Sequence, residues 1–189
     1  MPTINGKACV VNGTPVDKIF SNGRQIYGRN YVLNSDFENA ITNVNNVNSG
    51  RHSGFTDYSY KGSHSLKVSI EPGATSPASG VIINPKNAQP NSTYTATGWV
   101  YSDISRTLNI NGYSAAWNSR GKLTVALAAK TWTKFEYHFT TEASVANAGV
   151  AVFTNGTTGI DIQPFYIDLV KIEQGNKATV WTPAPEDVM

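Results

Sequence analysis

The sequence predicts an all-β fold of two packed antiparallel sheets, and three observations predict it. Short runs rich in Thr, Val, Ile and aromatic residues alternate with period two. Asn-Gly dipeptides at Asn5, Asn12, Asn22, Asn111 and Asn155 suit the positive φ values of tight turns. No stretch of the 189 residues carries a long helical repeat.

The elements follow in order. Residues 3–28 form a first group, with short strands expected at 7–11, 16–20 and 24–27 and the clearest hairpin at Ser21-Asn22-Gly23. So small a unit buries too little apolar surface to stand alone. It is either an attachment unit over residues 1–29 or an extension of the main sheet over 30–189. Nine longer strands are expected at 31–33, 65–70, 80–84, 93–101, 107–110, 122–127, 132–140, 149–154 and 165–173, enough for two packed sheets. Residues 39–54 are polar and Asn-rich, and read as a solvated surface loop that also has the composition to border a groove.

Composition excludes several functions. Fifteen Lys and Arg against thirteen Asp and Glu give a net charge of only +2. These charges are scattered and form no stripe to follow a phosphate backbone, so nucleic acid is not an expected partner. Cys9 is the single cysteine, which rules out an internal disulfide and leaves a buried, inert thiol as the expectation. No run approaches the roughly 20 apolar residues of a membrane span, and no export signal is expected at the start. The Asn-x-Thr triplets at Asn12, Asn91 and Asn155 therefore read as turns. Catalysis is not expected either: His52, His64 and His138 lie on separate segments, Cys9 has no partner in sight, and the acids are dispersed. His138 belongs on an outward face beside Glu136, and Trp132 and Trp181 read as packing residues.

Alternation also nominates a binding surface. Aromatic rings set beside amides or carboxylates can hold a ligand that offers both C–H patches and hydroxyls. On the strand at 93–101, Tyr94, Ala96, Gly98 and Val100 share one face and Thr95, Thr97, Trp99 and Tyr101 the other. With the smaller set inward, Trp99 and Tyr101 make an outer platform with about 7 Å between them; the alternative is that Trp99 is a core or sheet-covering residue. On the next strand Asn109 and Asn111 oppose Leu108 and Ile110, and further on Phe153 and Asn155 oppose Val150 and Val152.

Five strings stand in a recognisable order: Asn34-Ser35-Asp36-Phe37-Glu38, Gly62-Ser63-His64-Ser65-Leu66-Lys67-Val68, Tyr94-Thr95-Ala96-Thr97-Gly98-Trp99-Val100-Tyr101, Trp132-Thr133-Lys134-Phe135 and Phe165-Tyr166-Ile167-Asp168-Leu169-Val170. Together, from Asn30 to the end, they resemble the carbohydrate-binding modules of families 4, 9 and 22. The resemblance implies a jelly-roll β-sandwich with a non-catalytic glycan cleft. It nominates Tyr113 and Trp117, within Gly112-Tyr113-Ser114-Ala115-Ala116-Trp117-Asn118, as cleft aromatics. Ser76-Pro77-Ala78-Ser79 stands where those modules often carry another, which sets this chain apart from the usual β-glucan or xylan specificity. The resemblance also implies one structural calcium ion, with Glu38 and Asp168 as carboxylate ligands and Asp36 and Lys61 as carbonyl donors. An acidic side chain expected shortly before Lys61 is represented only by Asp57.

Residues 18–30 and 173–187 are similar to segments of bacteriophage tail and baseplate proteins of Gram-positive hosts. That similarity implies a virion component assembled in the host cytoplasm, with other tail or baseplate proteins and a host cell-wall polysaccharide as partners. Repeated copies or a homo-oligomer would strengthen a weak site.

Overall fold

A computed structural model of the chain describes residues 7–39, 41–56, 58–115, 117–155 and 163–188. The expected starts of the first unit and of the Asn5 turn lie outside them, as does Asp57. Four short strands come first: β1 (Val10–Val11), β2 (Thr14–Pro15), β3 (Lys18–Ser21) and β4 (Arg24–Gly28). The sandwich follows with β5 (Val44–Val47), β6 (Gly50–Thr56), β7 (Ser65–Ile70), β8 (Gly80–Ile83), β9 (Thr93–Ser102), β10 (Arg106–Tyr113), β11 (Ser119–Leu127), β12 (Thr133–Thr140), β13 (Gly149–Thr154) and β14 (Phe165–Gln174). One sheet runs β11-β10-β13-β8-β5 and the other β12-β9-β14-β7-β6, all antiparallel. This is the expected all-β, jelly-roll sandwich. Among the described residues no helix is long and apolar enough to cross a membrane.

Period-two alternation fixes which side chains enter the core. Tyr94, Ala96 and Val100 of β9 face Leu108 and Ile110 of β10 and Val150 and Val152 of β13 in one buried apolar cluster. Two glycines let the sheets close. A Cβ on Gly98 would stand 2.7 Å from the Phe135 ring, and one on Gly112 would stand 2.6 Å from Phe139. Gly112 thus serves packing inside β10, so Asn111-Gly112 is no turn. Asn12-Gly13 and Asn22-Gly23 are turns as expected, with positive φ at both residues of each pair.

Three expectations need correction. Residues 39–54 are not a plain loop: β5 and β6 form there, turning at Asn48, whose φ is 51°. β5 pairs with β8 and β6 with β7, so this hairpin supplies an edge strand to each sheet. Val44 and Val47 are buried, and those two side chains suffice to dock an otherwise amide-rich strand. Residues 31–33 form no strand, because the buried Asn30 side chain takes over the local pairing. Its Oδ1 accepts from the Val32 and Ile172 amides, and its Nδ2 donates to Ser35 Oγ, Val170 O and Thr182 O. Cys9 is part-exposed rather than buried.

β3 and β4 pair with each other and join neither large sheet. They dock through a buried polar cluster. Lys171 and Glu173 of β14 are fully buried, with Lys171 Nζ 5.6 Å from the centre of the Tyr27 ring. The Thr179 hydroxyl accepts from Lys171 Nζ and from the Gly28 amide and donates to Glu173 Oε2. Trp181 anchors the tail by donating to Val170 O and Ser35 Oγ, in keeping with a packing role.

Candidate functional site

The predicted site residues divide between two faces. Asn109, Asn111, Tyr113, Phe153 and Asn155 point outward from the β10–β13 side of one sheet, with Trp117 just beyond β10. Strand register brings them together, since Asn109 pairs with Phe153, Asn111 with Ala151 and Tyr113 with Gly149. Trp99 and Tyr101 also point outward, as the small-inward reading of β9 requires, but from the opposite sheet. They are not an open platform there. Tyr60 stacks on Trp99 at 3.7 Å between ring centres, and Tyr101 packs against Tyr58, Trp132 and Tyr166. His138 sits outward beside Glu136, 3.4 Å away, as expected.

The outer face of the first sheet is unusual in having an apolar cluster of its own. Val47, Ile82, Tyr113, Ala151 and Phe153 are buried together on it, with Ala78 packed against them. The 76–79 segment is tied to the end of β13, where the Thr154 hydroxyl donates to Pro77 O, and it sets Ala78 against this cluster. Phe153 and Tyr113 are consequently only 3% and 7% exposed, less open than the cleft reading expects. Trp117 is the open ring: it is 52% exposed, lies edge-on to Tyr113 at 5.5 Å, and has a φ of 62°. A bulky residue rarely takes that left-handed conformation, and its cost is tolerated where a side chain must be aimed.

Amides border the cluster. Asn109 donates to Asn155 Oδ1 and accepts from the Thr124 hydroxyl, while Asn155 donates to Thr107 Oγ1. The Asn111 Oδ1 atom has no partner. At the far end of the face lies a groove of about 420 Å³ lined by Asn43, Asn45, Asn84, Asn87 and Asn147 among others. Sequence reasoning missed these five. Asn43 and Asn45 had a signal in the Asn-rich composition of residues 39–54, whose role depended on a strand pairing that composition does not reveal; Asn84, Asn87 and Asn147 lie outside that segment.

The four residues assigned to calcium gather around the 58–64 segment, with both carboxylates already engaged. Glu38 Oε1 accepts from the Ser63 and His64 amides, and Oε2 lies 3.2 Å from His64 Nδ1. Desolvation alone would raise its pKa, but the His64 and Ser63 bonds outweigh that and lower it. Asp168 Oδ2 accepts from the Tyr60 and Lys61 amides and Oδ1 from Leu169. Burial is the main influence on Asp168 and pushes it up to about 6, against those three amides, with Asp36 adding to the rise. Two N–H donors occupy both lone pairs of a carboxylate oxygen. Among the described residues no three His, Cys, Asp or Glu side chains converge as a metal group. A hard cation at this place would therefore have to compete with the amides held by Glu38 Oε1 and Asp168 Oδ2.

Two stacked antiparallel sheets, one bearing an apolar and amide-rich outer face, define a jelly-roll binding module. The chain belongs to the carbohydrate binding domain family CBM_4_9, whose profile matches residues 29–159. The domain this family defines is a non-catalytic binding module. Solved structures with similar folds include the CBM22-2 xylan-binding domain of Paenibacillus barcinonensis Xyn10C, at TM-score 0.59 and 16% identity over 76% of this chain and 98% of that one. The C-terminal family 22 carbohydrate binding module of Clostridium thermocellum Xyn10B gives 0.56 and 20%, over 82% and 96%. A family 4 module gives 0.56 and 17%, over 76% and 99%. No curated protein sequence matches the chain.

Proposed function

We propose that the outer face of the β11-β10-β13-β8-β5 sheet binds a host cell-wall polysaccharide, and that the chain does so as a bacteriophage tail or baseplate component. The observation that carries the first part is Trp117, half exposed and set edge-on to Tyr113 beside a row of amides. An exposed ring supplies a face for sugar C–H groups, and Asn109, Asn111 and Asn155 supply hydroxyl partners. The xylan-binding description of similar structures agrees with a polysaccharide ligand. The segment at 76–79, which packs Ala78 against the apolar cluster, argues for a glycan other than xylan.

The virion role rests on the resemblance of residues 18–30 and 173–187 to tail and baseplate proteins. Those two segments also meet, through the Gly28–Thr179 bond and the Arg29–Glu186 ion pair. Val11, Phe20 and Ile26 are exposed on the β1–β4 unit, which suits attachment to a neighbouring subunit or copy. Repetition on a tail would multiply weak single-site affinity. A second reading, a purely structural tail protein with the same fold, draws on the near-complete burial of Tyr113 and Phe153.

A fluorescent fusion of the chain, incubated with Gram-positive host cells, separates the two. Adhesion predicts labelling that soluble host cell-wall polysaccharide competes away and that Trp117→Ala reduces about tenfold or more. Labelling indifferent to Trp117→Ala would overturn the assignment to this face, and equal labelling of host and non-host cells, unaffected by polysaccharide, would leave the structural reading.

A further inference from the structure

The opposite sheet carries a second groove. It has a volume of about 290 Å³ and is lined by Thr97, Gly98 and Trp99 of β9, Lys134 of β12, the turn at Tyr60 and Lys61, and residues 179–181 of the tail. That size suits one sugar ring. Trp99 lies between Lys134 and Asp168 in the strand register, so a cation and a buried carboxylate flank it across three strands. Asp168 holds the Tyr60 and Lys61 amides at 2.8 and 3.2 Å, and this fixes the Tyr60 ring over Trp99 with 14° between the ring planes. Tyr60 is nevertheless 42% exposed. Lys61 and Lys134 are exposed and, among the described residues, neither is in an ion pair with a carboxylate. Glu136, the next outward residue on β12, is within 3.4 Å of His138 instead.

Stacked aromatic rings and two exposed ammonium groups around a ring-sized groove are the chemistry of an acidic sugar. We propose that this groove is a second glycan site, selective for a pyranose bearing a carboxylate or a phosphate. The sugar's C–H face packs against the Tyr60–Trp99 stack, while Lys61 and Lys134 take the anion. The site differs in place and in ligand charge from the amide-bordered face, and it stands whether or not that face binds neutral glycan.

Calorimetric titration of the full chain tests it with three probes: oligogalacturonate, a phosphate-bearing mannan and neutral mannan. The expected result is binding of an anionic probe at low salt that is largely lost at about 0.5 M salt. Tyr60→Ala and Lys134→Glu each weaken it about fivefold or more, and Trp117→Ala leaves it unchanged. Binding of only one anionic probe supports the proposal and identifies the acidic group. Absence of binding to both anionic probes, binding of neutral mannan by the Trp117→Ala variant as tight as that of the anionic probes, or unchanged affinity in Lys134→Glu with native melting would overturn it. The surface pair Lys61→Glu with Lys134→Glu serves if Tyr60→Ala melts early. Failure of Trp117→Ala to affect neutral glycans counts against the other face alone.

Discussion

At the scale of single residues, two side chains carry more than their positions in the sequence disclose. Trp117 is held in a left-handed conformation with its ring in water, where burial gives it no reason to be. Asn30 is the opposite case, a fully buried amide that joins the start of the module to β14 and to the tail. Asn30→Ala leaves several buried backbone groups unpaired and is expected to cost about 3 kcal/mol or more in denaturant unfolding. A loss below about 1 kcal/mol would mean that water replaces the side chain. Asn109, Asn111 and Phe153 were legible because alternation alone puts them outward. Asn30 was not, because its partners lie as far as 152 positions away in sequence.

At the scale of elements, strands with strong patterns were legible to the residue: β7 and β13 begin and end as alternation predicts. The β5–β6 hairpin was illegible because its amides read as loop, and only pairing with β8 and β7 makes it sheet. Among the bonds that latch the tail, the Thr179 hydroxyl is the one that joins it to both β4 and β14, receiving two donors and serving one carboxylate. Thr179→Val keeps the shape and removes those bonds. We expect a loss of about 2 kcal/mol, with faster hydrogen exchange at the Gly28 amide; unchanged exchange there would refute the latch. The amide turn around Glu38 and Asp168 gives a further expectation. Adding calcium or a chelator should leave the melting temperature unchanged, whereas a calcium-dependent rise would show that the amides yield to the ion.

At the scale of the whole molecule, a sandwich normally needs one apolar core, and this one has a second apolar cluster on an outer face. It also buries a lysine. Desolvation lowers the Lys171 pKa to about 8 from 10.5, with Glu173 opposing. Between those values the unfolded chain holds a proton that the folded chain lacks, so stability should rise with pH from about 8. Above about 10 the buried tyrosines, raised mainly by desolvation, oppose that rise. Denaturant titrations across this window should show the rise in the wild type and its absence in Lys171→Met. Mapping amide chemical shifts while neutral cell-wall oligosaccharides are added tests whether the amide-bordered sheet face is the glycan surface. Shifts are expected to concentrate at Asn109, Asn111, Tyr113, Trp117 and Phe153, including the Trp117 indole. Shifts confined to Tyr60, Trp99 and Lys134, or no shifts with any oligosaccharide of a broad panel, would contradict it.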